Sequence, residues 1–295
     1  MIAKRSTSKI PRRLFLQSSI AAAVSTPGIG FSQGTREGLS RLLNDRFRRQ
    51  PISHIPTPLE QLRSLADALG CRSLLIKRDD QTGLALGGNK ARKLDYIMAD
   101  VIREKADTIV TTAGIQSNWC RQTAAAARMF GIDPVLVLVK RDASPVEYEG
   151  NLLLDFLFNA DVRFLEPNAD RNRYIADTEA ELRRAGRRPY VAPIGGSMPG
   201  GSMRDPLGAL GYVNAFLEMH GQAAASGISL DGVVLASGSG GTQAGLVVGA
   251  RAVSPKTRVV GVSVSGSRQA VQKTVAAIAN LTAAALDLKD KFAPE

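Results

Sequence analysis

Gly87-Gly88-Asn89-Lys90-Ala91-Arg92-Lys93-Leu94 sets one lysine between a glycine turn and the start of an apolar-periodic helix. The two glycines allow a tight backbone turn that side chains would block, and the helix N-terminus that follows favours anionic groups. A phosphate-bearing cofactor fits beside Lys90. Alone, the same residues also read as the solvated first turn of a surface helix, so the decision rests on what the rest of the chain supplies.

Downstream of this stretch the pattern becomes regular. Strand-like apolar runs at 108–112, 134–139, 162–165 and 190–194 alternate with helix-like segments near 119–130, 149–158 and 173–186. Such alternation predicts an α/β protein, a parallel sheet with helices on both faces. A Gly/Ser/Met/Pro-rich stretch at 195–206 precedes helix 207–220, strand 232–237, helix 242–253, strand 258–264 and helix 269–285. Upstream, a Pro-punctuated segment at 51–58 leads into an expected helix 59–69 and a strand 73–77. This order predicts two open sheets, with residues 34–92 and 205–295 forming a large domain and 93–204 a small one. Gly195-Gly196-Ser197-Met198 recurs as Gly200-Gly201-Ser202-Met203. The repeat reads as a local duplication lengthening a loop, which surface loops tolerate cheaply.

Two further segments carry chemistry. Gly114-Ile115-Gln116-Ser117-Asn118-Trp119-Cys120-Arg121-Gln122-Thr123 leaves an apolar strand and opens an Ala-rich helix, the place where open α/β sheets bind ligands. Ser117 and Asn118 are good helix caps, and their side chains are equally able to face a ligand. Cys120 lies close enough in sequence to be oxidisable near such a site. The second segment, Ser237-Gly238-Ser239-Gly240-Gly241-Thr242-Gln243, exposes consecutive backbone N–H groups at a helix start and adds the hydroxyls of Ser239 and Thr242, a phosphate cradle. It is no dinucleotide fingerprint, because Gln243 stands where the third glycine belongs. Lys90 is no nucleotide-loop lysine either, since Asn89 intervenes and Ala91 replaces the needed hydroxyl. A lysine after a glycine turn, a Ser-Asn pair at a helix start and a separate phosphate loop together suit pyridoxal phosphate, whose aldehyde, ring oxygen and phosphate need three such partners.

Composition removes other classes. Of the net charge of +11, +8 lies in residues 1–50, which hold ten Lys/Arg against two Asp/Glu. The excess is N-terminal, and no aromatic-interleaved basic stripe accompanies it, which argues against a nucleic-acid partner. Cys71 and Cys120 have no metal-ligand spacing, and His54 and His220 are the only histidines, so no metal site and no Cys-His catalysis are indicated. No apolar run is long enough for a membrane span, so stable membrane insertion is not expected. Residues 1–33 read as an export signal: Lys4, Arg5 and Lys9 lead to Arg12-Arg13-Leu14-Phe15-Leu16 and an Ala-rich apolar stretch. The arginine pair resembles the twin-arginine signal, which predicts a periplasmic protein exported folded, the alternative being an unused extension on a cytoplasmic one.

Leu75-Ile76-Lys77-Arg78-Asp79-Asp80, the Lys90 stretch, Gln116-Ser117-Asn118 with Arg121-Gln122, and Pro206–Val213 after Gly-Gly-Ser resemble the D-cysteine desulfhydrase and 1-aminocyclopropane-1-carboxylate deaminase family. The resemblance runs from about Ile55 to Val264. It implies the tryptophan-synthase-β-like fold (fold type II), pyridoxal 5'-phosphate as cofactor, a small amino-acid substrate and a homodimer. It further implies that Lys90 bonds the cofactor and then moves a substrate proton, that Asn118 binds the ring oxygen, and that Ser117 faces the substrate carboxylate. Ser239, Gly240, Gly241 and Thr242 would hold the phosphate, with Lys93 either adding charge there or remaining a solvated helix lysine. The leading expectation is elimination of the β-thiol of D-cysteine; ring-opening deamination of aminocyclopropane carboxylate and release of sulfite from cysteate are alternatives. Family members continue past the point where this chain stops, through a Tyr-containing glycine motif and a partner for the pyridine nitrogen. A large domain incomplete at its C-terminus, an exposed apolar sheet surface, and a cofactor-binding protein with impaired catalysis are therefore expectations as well.

Overall fold

The computed structural model describes residues 36–294, so the expected export signal at 1–33 lies outside the described residues. The order is α1 (Arg36–Arg46), β1 (Leu59–Gln61), α2 (Arg63–Leu69), β2 (Leu75–Lys77), α3 (Lys90–Arg103), β3 (Thr108–Gly114), α4 (Asn118–Met129), β4 (Asp133–Val139), α5 (Gly150–Leu157), β5 (Asp161–Leu165), α6 (Arg171–Arg184), β6 (Pro189–Val191), α7 (Leu207–Ala225), β7 (Gly232–Ser237), α8 (Gly241–Val253), β8 (Arg258–Ser263) and α9 (Arg268–Ala285).

The alternating region forms one four-stranded sheet in the order β5-β4-β3-β6. All its pairings are parallel, as short strands joined through helices require. β3 and β4 read as nearly continuous apolar runs because both faces are covered, and Ile109, Val110, Leu136, Val137 and Leu138 are fully buried. The second expected sheet is present as two pieces, an antiparallel β1-β2 pair and a parallel β7-β8 pair. On the latter, Val234 and Val262 are exposed, as is Val264 just past β8. The helix expected over 59–69 is corrected: Pro56 and Pro58 carry the extended backbone into β1, whose Leu59–Gln61 pairs with Leu75–Lys77, and the helix begins only at Arg63.

α3, α7 and α8 pack against one another through small residues. An added Cβ at Gly211 would sit 2.4 Å from Arg92 O, and one at Gly245 2.2 Å from Ala209 O, so these glycines set how closely the helices approach. One apolar cluster joins them, running from Leu94, Ile97 and Met98 of α3 through Leu210, Val213 and Phe216 of α7 to Val248 of α8 and Ile278 of α9. The chain thereby brings the start of α3, the start of α8 and the start of α4 into one region.

Candidate active site

The glycine turn is fixed from several sides. Gly87 and Gly88 have φ of 71° and 122°, and a Cβ on Gly87 would fall 1.8 Å from Asp80 O, so only glycine fits there. Gly88 N–H donates to Asp79 O and to Thr82 Oγ1, while Arg121 Nη2 (3.0 Å) and Gln122 Nε2 (2.6 Å) donate to Gly87 O. α3 therefore starts at a rigid point, and its first residue is Lys90.

Lys90 Nζ donates to Asn89 Oδ1 at 2.9 Å, and Asn89 Nδ2 donates to Thr242 Oγ1 at 3.2 Å. Asn89 thus ties the lysine to the glycine loop before α8. Burial, and then the nearby Arg121 guanidinium, lower the Lys90 pKa below the ordinary lysine value. Lys93, one turn on, is 0 % exposed. It is no solvated helix lysine. Its Nζ donates to Gly195 O and Ser197 Oγ, both at 3.3 Å, and Ser197 Oγ lies 2.8 Å from Ser239 Oγ. Burial, reinforced by Lys90, holds its pKa well below the usual value, and no carboxylate among the described residues forms an ion pair with it.

Gly240 adopts the left-handed conformation (φ 81°) and caps α8, so the backbone N–H groups at the α8 start open toward this cluster. A Cβ on Gly241 would lie 2.4 Å from Ser197 Oγ. The first Gly-Gly-Ser copy is buried against the loop rather than forming a surface excursion, because Gly195 and Gly196 take left-handed φ and turn Ser197 inward. The second copy extends β6 instead: Ser202 N–H donates to Val191 O, and Val191 N–H donates to Ser202 Oγ.

Ser117 is the N-cap of α4, its Oγ accepting from Trp119 N–H and Cys120 N–H, which leaves its hydroxyl proton to donate elsewhere. Asn118 Oδ1 accepts from Asn151 Nδ2 at 2.9 Å, so its own amide NH₂ is directed away from Asn151. Asn151 accepts in turn from Arg121 Nη1 at 2.8 Å. The link from Asn118 to the Lys90 turn accordingly runs through Asn151 and Arg121. Cys120 is fully buried and burial raises its thiol pKa, which corrects the expectation that it is oxidisable; Cys71 is the exposed thiol.

A second cluster orients α3 from beneath. Arg92, 2 % exposed, donates to both oxygens of Asp79 and both of Glu218 and to Thr57 Oγ1. Lys77 bonds Glu218 and Gln222, and Tyr212 O–H donates to Asp79 Oδ2 at 2.7 Å. Lys77, Asp79 and Arg92 stand in the sequence motifs without a role of their own, and the parts played by Asn89, Ser197 and Glu218 emerge only in the structure. The adjacency of Asn89 to Lys90 and the Gly-Gly-Ser run were the available signals. Nothing in the sequence marks Glu218.

A helix-start lysine beside a glycine-rich anion cradle in an α/β protein of this topology defines the fold type II class of cofactor enzymes. The family profile described as pyridoxal-phosphate dependent enzyme matches residues 52–292, and the chain belongs to that family. It is 43 % identical over 251 residues to a D-cysteine desulfhydrase of Yersinia pestis (strain Pestoides F), covering 84 % of this chain and 73 % of the relative. To a D-cysteine desulfhydrase of Serratia proteamaculans (strain 568) it is 46 % identical over 223 residues, covering 75 % and 65 %. A crystal structure described as an ACC deaminase homologue superposes with a TM-score of 0.76 at 34 % identity, covering 87 % of this chain and 75 % of that one.

The residues present fit the cofactor. Buried Lys93 and half-buried Lys90, neither ion-paired to a carboxylate among the described residues, the Ser197, Ser239 and Thr242 hydroxyls and the α8 N-terminus form a donor set suited to a phosphate. The missing Cβ of Gly241 keeps that space open.

Proposed function

We propose that this chain is a pyridoxal-phosphate-dependent lyase that eliminates the β-thiol of D-cysteine, with one water consumed and pyruvate, ammonia and hydrogen sulfide formed. The observation that carries the reading is Lys90 held by Asn89, which itself bonds Thr242 of the phosphate loop. The substrate assignment is supported by the names of the 43 % and 46 % identical relatives.

When bound, pyridoxal phosphate accepts the electron pair left on the substrate's α-carbon as its proton departs. Lys90 would hold the cofactor covalently, and Lys93, Ser197, Ser239, Gly240, Gly241 and Thr242 would hold its phosphate. The lowered pKa of Lys90 raises the share of uncharged amine able to take the α-proton. Asn118, its amide fixed by Asn151, would donate to the ring oxygen, and Ser117 would donate its hydroxyl proton to the substrate carboxylate. Arg121 and Gln122 keep the Gly87 carbonyl, and hence the Lys90 backbone, stationary during proton transfer.

The neighbour described as an ACC deaminase homologue favours a second reading, ring-opening deamination of aminocyclopropane carboxylate. Purified protein separates the two: visible absorbance reports the cofactor, and pyruvate release is compared for D-cysteine and aminocyclopropane carboxylate. Lys90→Ala removes the absorbance of covalently held cofactor and all pyruvate release; borohydride trapping of cofactor on another lysine refutes the assignment. The large-domain and small-domain division, a homodimer and twin-arginine export to the periplasm belong to the same proposal. Limited proteolysis, sedimentation and N-terminal mass spectrometry of a periplasmic fraction test them in turn.

A further inference from the structure

Asp155 of α5 is fully buried, and neither of its carboxyl oxygens has a hydrogen-bond partner among the described residues. Across from it on α4, Arg121 Nε is buried and likewise unpaired, while its two Nη atoms are committed to Gly87 O and Asn151 Oδ1. Buried polar groups in native proteins are almost always satisfied. Here a two-oxygen acceptor and an N–H donor are both unpaired within one electrostatic neighbourhood. The charged and titratable groups facing Asp155 are Arg121 and Cys120, both on α4. The charges of β5 are engaged elsewhere, Arg163 with Asp161 and Glu181. On the far end of α4, Arg128 bonds Phe158 O, Asn159 O and Asp133.

We propose that Asp155 is a positioning residue that acts through Arg121, its neutral form leaving the guanidinium on the Gly87 carbonyl and Asn151, its carboxylate form drawing the guanidinium off them toward the Asp155 oxygens. The first arrangement is the one observed. It holds the backbone entering Lys90 and, through Asn151, the amide of Asn118. The second weakens both links at once, so one proton on Asp155 couples the lysine side of the site to the Asn118 side. Burial pushes the Asp155 carboxyl up to about 7, opposed by Arg121, which puts the exchange within the range where an enzyme works. Its effect on the cofactor rests on reading Lys90 as the cofactor lysine; the movement of Arg121 does not.

Trp119 is the only tryptophan and lies on α4, two residues before Arg121, with its Nε1–H on Thr111 Oγ1. In cofactor-free protein its fluorescence, followed from pH 5.5 to 8.5, is expected to titrate near pH 7 and to lose that step in Asp155→Asn. In the loaded enzyme the cofactor absorbance and kcat/KM are expected to carry the same step, and Asp155→Asn to hold the low-pH spectrum across the range. Arg121→Lys keeps the charge but loses the two-armed contact, so the fluorescence step remains while the absorbance step disappears. A step that survives in Asp155→Asn, or wild-type fluorescence flat across this range, overturns the proposal. A fluorescence step without an absorbance step in wild type overturns the coupling to Lys90 while leaving the proposed lyase reaction intact.

Discussion

Replacing Lys93 by Met separates the anion-binding role of this residue from its structural cost, because the two effects have opposite signs. Lys93 is fully buried and its Nζ bonds only Gly195 O and Ser197 Oγ among the described residues, so in the cofactor-free protein its charged form has no counter-charge. Met fills a similar apolar path, and since exchanging even a buried ion pair for apolar residues of similar volume is often neutral or stabilising, by up to about 4 kcal/mol, the exchange of this unpaired group is expected to stabilise. The pKa of Lys93 is lowered in the folded state, so below the unfolded value near 10.4 the unfolded chain binds the extra proton and stability rises with pH. Lys93→Met removes that dependence, and its stabilisation is larger at neutral pH than above pH 10. A phosphate beside Lys93 loses a charge-assisted hydrogen bond worth about 1.5–3 kcal/mol, a factor of about 10–150 in dissociation constant. Titration with pyridoxal phosphate and with phosphate-free pyridoxal, each followed by absorbance, gives the readout. The phosphate ester is expected to lose affinity and pyridoxal to bind as before. Equal loss for both, or a cofactor-free variant that melts below wild type, refutes Lys93 as the phosphate cation.

Gly241→Ala places a methyl 2.4 Å from Ser197 Oγ and 2.7 Å from its Cβ, so it is expected to cost about 1–3 kcal/mol in thermal unfolding and to weaken pyridoxal phosphate more than pyridoxal. Arg92→Met leaves the half-buried Asp79 and Glu218 without their shared cation, Lys77 remaining on Glu218, and is expected to cost about 3 kcal/mol in urea unfolding. Burial raises the Glu218 pKa, but Arg92 and Lys77 outweigh it and hold the carboxylate below its ordinary value. The stability that Glu218 contributes is therefore present above about pH 4.3 and lost as pH falls further, and Arg92→Met flattens this acid limb. Thiol labelling of native protein is expected to modify Cys71 alone, with Cys120 reacting only after unfolding; rapid native reaction of both refutes the burial of Cys120.

Local chemistry was legible wherever a short stretch determines its own structure. The glycine turn before Lys90 and the loop before Thr242 require backbone conformations that few residues adopt, so their composition identifies them. β3 and β4 announced themselves as apolar runs because they are covered on both faces. β1 did not, since Leu59–Gln61 has one half-buried and two exposed residues, and its identity comes from pairing with β2 rather than from its pattern. The partners of Arg92 were out of reach for a different reason. Glu218 lies 126 residues away on α7, and a glutamate on a long helix is ordinarily a solvated one.

The same distinction explains how the site is assembled. Lys90 and Lys93 share one face of α3 because they are three residues apart, a spacing the sequence states outright. What gives them different tasks is long-range: Asn89 connects Lys90 to Thr242, whereas Gly195 and Ser197 receive Lys93 from a segment over 100 positions away. Arg121 stands apart from both lysines in sequence yet lowers the pKa of one and anchors the turn from which both project. A phosphate at the α8 start would supply the charge that Lys93 lacks and relieve its repulsion with Lys90, so anchoring the cofactor and preparing the lysine for proton transfer are consequences of one electrostatic arrangement.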